Sequence, residues 1–253
     1  MGNKVFFENK KGLKLCGIFS DPTNDVGKPM VVFCHGHSTS KDSTSIKKLS
    51  EILNSKNVST FRFDVSGHGE SEGKFEETTV SDAMNDILSA IEYVKSLGYS
   101  KIGLVGSSFG GAASILAAAK SPDLFVLALK APVSDYKRLK ITKMGINGVQ
   151  NWEKQGYMEY EKDDERGLRL KYSFFEDFDN FNEYEAAKNI TAPTIIVHGD
   201  SDNDVPVEQS IKLATIIPNC KLEVVSGADH GFSNPENFEK MLKLIPEFIL
   251  EKL

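Results

Sequence analysis

Short apolar runs spaced by helical patterns constrain this chain more than any other feature. Met30 to Cys34, Val58 to Phe63, Lys101 to Val105, Leu124 to Leu129, Thr194 to Val197 and Lys221 to Val225 are unbroken rather than alternating. A strand with one wet face alternates apolar and polar residues, whereas a strand covered on both faces does not. Between these runs, Val80, Ala83, Met84, Ile87, Leu88, Ile91 and Val94 recur at helical spacing, and the pattern stops at Leu97-Gly98, where glycine can close a helix. Pro235 to Leu253 repeats that periodicity. Strands alternating with helices predict an α/β protein with a mainly parallel sheet and helices on both faces. Lys4 to Phe19 adds a hairpin turning at Lys10-Lys11-Gly12, which suits an antiparallel edge.

Composition removes several classes of function. The 253 residues carry a formal charge of -6 with acidic residues scattered along the chain. No basic stripe offers phosphate neutralisation, so nucleic acid is excluded as a partner. No apolar run is long enough to cross a bilayer, and the first residues turn charged before a signal core could form, so a cytoplasmic protein with no membrane partner is expected. Cys16, Cys34 and Cys220 stand far apart, which suits reduced, buried thiols.

Residues 134–188 break the rhythm, dividing the chain into a core over 1–133, an inserted subdomain over 134–188 and a second core part over 189–253. The insertion is rich in aromatic residues, among them Tyr136, Trp152, Tyr157, Tyr160, Tyr172 and Phe174. Leu168, Leu170, Tyr172 and Phe174 alternate with polar residues after the run Lys162 to Gly167, which predicts a β-hairpin. The insertion is either a packed outgrowth with its own small core or a cap lining an acyl pocket; in the second case Trp152 and Tyr157 are candidate substrate-binding residues.

Gly106-Ser107-Ser108-Phe109-Gly110 fits the Gly-x-Ser-x-Gly nucleophile elbow and lies between a strand and a helix-like run. The sharp turn needs residues without bulk on either side of a serine in strained geometry, and of the adjacent pair Ser107 and Ser108 only Ser108 has glycines at both minus two and plus two. A serine hydroxyl needs a base titrating near neutrality, which histidine supplies. His230, between the strand Lys221 to Val225 and the last helix, lies at the carboxyl edge of the sheet where catalytic groups gather. Asp200, Asp202 and Asp204 follow another strand and are candidates for the acid. Acyl transfer also needs backbone donors for the oxyanion. Phe109, after the nucleophile, supplies one, and the loop His35-Gly36-His37 supplies the other through His37.

His35-Gly36-His37 with Asp42 invites a metal, but further ligands at characteristic spacing are missing, so no metal and no cofactor are expected. Asp64 to Ser71 lacks the ending of a phosphate-binding loop and is expected to be a structural turn. His35 and His198, each just past an apolar strand, are expected to be structural.

Together these motifs resemble the α/β-hydrolase superfamily. Cys34-His35-Gly36-His37 is similar to its oxyanion loop, Asp64 to Ser71 to its Asp-x-x-Gly-His-Gly-x-Ser turn, His198 to Pro206 to its His-Gly-x-x-Asp-x-x-Val-Pro, and Asp229-His230-Gly231-Phe232 to its His-Gly-Phe ending. The resemblance implies an eight-stranded-type sheet with a small inserted cap, and Asp202 as the catalytic acid beside Ser108 and His230. Within the superfamily the chain is similar to bacterial feruloyl and cinnamoyl esterases and related carboxylesterases. It departs from them at Phe109 and His37, where glutamine and phenylalanine are frequent; Asp135 is a candidate for a polar group on the substrate. The resemblance implies a small-molecule ester substrate and allows a homodimer. Thioesterase, aminopeptidase or amidase activity, and a non-catalytic binding protein, are the alternatives.

Overall fold

The computed structural model describes residues 2–160 and 167–253, so Lys162 to Arg166 of the polar run lie outside the described residues. The first two strands, β1 (Asn3–Glu8) and β2 (Lys14–Ser20), pair antiparallel across a turn where Gly12 takes φ +75°. Next come β3 (Met30–Cys34), α1 (Thr44–Ser55), β4 (Ser59–Phe63), α2 (Val80–Ser96), β5 (Ile102–Ser107), α3 (Phe109–Ala118) and β6 (Val126–Lys130). The chain then leaves the sheet as α4 (Tyr136–Gln155), a hairpin of β7 (Tyr157–Glu159) and β8 (Arg169–Lys171), α5 (Ser173–Glu176) and α6 (Glu183–Ala187). It returns as β9 (Thr194–Gly199), α7 (Val207–Ile216), β10 (Cys220–Val225) and α8 (Pro235–Glu251).

Eight strands form one sheet in the order β1-β2-β4-β3-β5-β6-β9-β10, antiparallel among β1, β2 and β4 and parallel from β4 onward. The unbroken apolar runs have a direct cause. In β3, Met30, Val32 and Cys34 enter one core and Val31 and Phe33 the other; in β6, Leu127 and Leu129 part from Val126 and Ala128 in the same way. α2, α3 and α7 cover the first face, and α1 and α8, through Leu49, Leu53, Met241 and Ile245, cover the second. α2 stops as predicted, with Gly98 beyond its last turn at φ +102°, and at its start the Thr79 hydroxyl accepts from the Asp82 amide at 3.0 Å. No helix of the described residues is long and apolar enough to cross a membrane.

The insertion departs from one of its two alternative readings and from part of the predicted hairpin. Its aromatic residues do not make a separate core, because Trp152, Phe174, Phe175 and Phe178 join the core on the α2–α3 face. The strand predicted from Leu168 to Phe174 stops at Lys171 and the chain turns helical at Ser173. Three large rings at 174, 175 and 178 bury together only at helical spacing, which sets Phe174 and Phe178 edge to face with centroids 5.1 Å apart.

Candidate active site

β5 runs straight into α3, and the residue at the junction is forced into an uncommon shape. Ser108 takes φ +53° and ψ -112°, a strained backbone for a residue with a side chain, which lifts its hydroxyl clear of the strand. The flanking glycines have steric causes. A Cβ on Gly106 would stand 2.3 Å from Ser114 Oγ, and one on Gly110 would stand 2.3 Å from the His35 carbonyl oxygen. Gly110 therefore lets the loop after β3 press against the elbow. A Cβ on Gly36 of that loop would lie 3.6 Å from the Ser108 Cβ.

The three aspartates after β9 have three separate occupations. Asp200 Oδ1 accepts from the Gly227 amide at 2.6 Å, tying the two loops together, and Asp204 meets Lys143 at 3.1 Å. Asp202 alone reaches the base: His230 Nδ1 donates to Asp202 Oδ2 at 2.7 Å. That leaves the lone pair of His230 Nε2 to face Ser108 Oγ at 2.9 Å. Burial acts to raise the Asp202 pKa, but hydrogen bonds from His198, His230 and the Val205 amide outweigh it and hold the carboxyl well below the ordinary range. A hydroxyl, an imidazole and a fixed carboxylate in this order can pass a proton from oxygen to nitrogen while the acid stabilises the resulting charge.

His198 has a part in this that spacing alone did not reveal. Its Nε2 is 3.0 Å from both Asp202 Oδ2 and the Val205 carbonyl, two groups that only accept, so Nε2 carries the hydrogen and Nδ1 accepts the Ser210 hydroxyl at 2.6 Å. His198 thus positions the acid. His35 is likewise satisfied, with Nδ1 donating to the Gly36 carbonyl at 2.8 Å and Nε2 accepting from the Val65 amide at 3.2 Å. The Asp64 to Ser71 segment is the expected turn, in which buried Asp64 binds Lys41 Nζ at 2.7 Å and the Glu70 amide at 2.9 Å. Lys130, the buried last residue of β6, accepts the Ser108 amide on its carbonyl at 3.0 Å and donates Nζ to the His230 carbonyl at 2.8 Å. Burial draws its pKa down to about 8, against the pull of Asp202 and Asp229.

Ser108 and His230 open on a cleft of about 450 Å³, lined also by His37, Tyr136, Leu139, Lys140, Lys143 and Tyr160. Phe109, first residue of α3, has an amide that the helix does not use internally. Its side chain is buried against the His37 ring, centroids 4.8 Å apart. The three residues expected to bind substrate are not among those lining the cleft. Asp135 caps α4 by accepting from the Arg138 amide at 3.1 Å and lines a different groove, in keeping with the preference of aspartate for helix starts. Trp152 is packed inside the insertion, donating Nε1 to the Leu170 carbonyl at 2.9 Å, because an indole buried there needs a partner. Tyr157 is exposed, its ring 4.6 Å from the Arg169 guanidinium. In their place α4 presents Tyr136, Leu139, Lys140 and Lys143, the i, i+3, i+4, i+7 face of one helix. That spacing was present in the sequence, but which way the face points is decided by packing.

A family model, described as the prolyl oligopeptidase family, matches residues 36–253. The chain belongs to the prolyl oligopeptidase family. This family member is 26% identical over 230 residues to the mitochondrial palmitoyl-protein thioesterase ABHD10 of Bos taurus, a match covering 87% of this chain and 73% of that protein. Its structure is similar to that of Est1E from Butyrivibrio proteoclasticus with ferulic acid bound, at a TM-score of 0.87 and 27% identity over 98% of both chains. It is also similar to mouse alpha/beta hydrolase domain-containing protein 10, at a TM-score of 0.84 and 22% identity over 98% of this chain and 99% of that one. The architecture is the α/β-hydrolase fold, with a mostly parallel sheet and helices on both sides, as the sequence resemblance implied.

Proposed function

We propose that this chain hydrolyses carboxylic esters through an acyl-enzyme on Ser108. Ser108 Oγ bonds to the substrate carbonyl carbon as His230 Nε2 takes its proton, and the oxyanion is met by the amides of His37 and Phe109. His230 then returns the proton to the leaving alcohol, and water, activated by the same imidazole, releases the acid and restores Ser108. The observation that carries this proposal is the continuous hydrogen-bond chain Ser108–His230–Asp202 at a strained turn, with separations of 2.9 and 2.7 Å. The ferulic acid held by Est1E supports an aromatic acyl group as one occupant of the cleft.

Thioester hydrolysis is the second proposal, supported by the printed activity of the bovine relative, and amide hydrolysis the third, supported by the family description. All three share the nucleophile. Ser108→Ala is expected to lower p-nitrophenyl ester turnover by about 10³-fold or more while the protein stays folded, since single losses from such a triad have effects of that order. A fluorophosphonate should label the unsubstituted protein and not the variant; absence of labelling would favour a binding protein. Rates on matched ester, thioester and aminoacyl-amide substrates rank the three activities. Cys16, Cys34 and Cys220 are unpaired, which supports a reducing compartment such as the cytosol. Recovery of the protein from an oxidising compartment in cell fractionation would overturn that location.

A further inference from the structure

Three lysines line the cleft, and two of them are already engaged: Lys130 with the His230 carbonyl at 2.8 Å and Lys143 with Asp204 at 3.1 Å. Lys140, half-buried one turn before Lys143, has no hydrogen-bond acceptor or ion-pair partner among the described residues. Its ammonium stands 5.6 Å from the Tyr160 ring centroid and 5.7 Å from that of Phe174. Those rings favour a cation but bring no countercharge. His37 is packed on the same two rings, with centroids 4.6 and 5.4 Å away, and its buried Nε2 has no partner among the described residues. Burial holds the His37 imidazole well below its ordinary pKa, with His68 and Lys140 pushing the same way. Burial, reinforced by Lys143, lowers Lys140 to about 8, so it remains a cation at neutral pH.

A partly desolvated cation without a countercharge is costly, and an anion in the cleft offsets that cost. Ser43 and Thr44, at the start of α1, also line the cleft, and that helix has no acidic residue in its first turn, so its dipole adds a field of the same sign. We propose that the cleft selects an ester bearing a carboxylate or similar anionic group, which Lys140 binds through its ammonium. This rests on the hydrolase activity proposed above and adds the charge of its substrate.

The test uses the full chain and compares kcat/KM for mono-p-nitrophenyl adipate with that for p-nitrophenyl hexanoate, placing charge on the acyl side. The butyryl esters of 4-hydroxybenzoate and 4-hydroxybenzamide place it on the alcohol side. In one pair the charged ester is expected to be preferred by about tenfold or more, chiefly through KM, and Lys140→Gln to lower that preference by about 10- to 100-fold, the range of a hydrogen bond to a charged group. Lys140→Arg should retain the preference and Lys140→Glu reverse it. A ratio taken within each variant cancels damage common to both substrates. Neutral esters hydrolysed as well as both charged ones, or a preference that Lys140→Gln leaves in place, overturns the anionic subsite while the hydrolase proposal stands. No turnover of any ester together with no fluorophosphonate labelling overturns both.

Discussion

The strand-end loops that carry Ser108, Asp202 and His230 and the aromatic insertion above them are held by different forces. The loops are fixed by directional polar contacts: Asp202 alone engages two imidazoles and the amides of Asp204 and Val205, and Lys130 clasps the Ser108 and His230 loops together. The insertion is fixed by rings, with Trp152 against Tyr172, Phe174 and Phe175 at centroid distances of 5.7 to 6.4 Å. Ring packing is non-directional and spread over many contacts, whereas a proton path depends on the distance and direction of each hydrogen bond. Substitutions in the first region are therefore expected to change chemistry more than stability, and those in the second to do the reverse.

The sharpest break in that comparison is Asp202→Asn. Asparagine keeps an oxygen for the Asp204 and Val205 amides but turns an N–H toward His230 Nδ1, so about 10⁴-fold is expected to be lost from kcat. The thermal melt should fall too, because the new amide also meets the His198 Nε2–H and the fold loses a carboxylate it stabilises; a kcat that recovers in full at temperatures where the variant is folded would remove the chemical role. Next in size is Trp152→Ala, expected to remove about 3–5 kcal/mol of stability in denaturant unfolding through cavity formation. Its kcat on a small ester should stay within about tenfold at 25 °C, and a greater loss would show that the insertion sets the triad geometry.

Glu183→Gln gives the smallest effect and refines the account of the insertion. Glu183 is 6% exposed; burial, with Asp135 and Asp177 nearby, raises its carboxyl from 4.5 to about 7. The folded chain then holds a proton that the unfolded chain releases, so stability falls as pH rises from about 4.5 to 7 and levels off above. Gln has no proton to release, so the variant should gain about 3 kcal/mol relative to the unsubstituted chain well above pH 7 and nothing below about 4.5, by chemical denaturation across pH. An unchanged pH slope would place the buried charge elsewhere.

The same contrast explains what could be read from the residues beforehand. Period and turn chemistry are local, so the two-faced strands, the Gly98 stop of α2 and the glycines around Ser108 were all visible. Among the three aspartates local pattern left the choice open, because Asp200 and Asp204 are separated from Asp202 only by contacts with Gly227 and Lys143, remote in sequence. In the insertion, side-chain identity misled. Trp152 and Tyr157 have the surface of substrate platforms, yet one fills the core and the other faces solvent, while Lys140, with an unremarkable sequence context, faces the cleft. Which side of α4 turns inward depends on rings contributed by three other segments.

The Asp200–Gly227 link has a broader consequence. A Cβ on Gly199 would stand only 2.0 Å from the Ala228 carbonyl oxygen, and the Ser201 amide donates to that same oxygen at 3.0 Å. Asp202 and His230 are thereby stitched into one block, anchored to neighbouring parallel strands. For the hydrolase proposed above, changes on the α4 face of Tyr136, Leu139, Lys140 and Lys143 alter what the cleft admits while the spacing inside that block stays as it is.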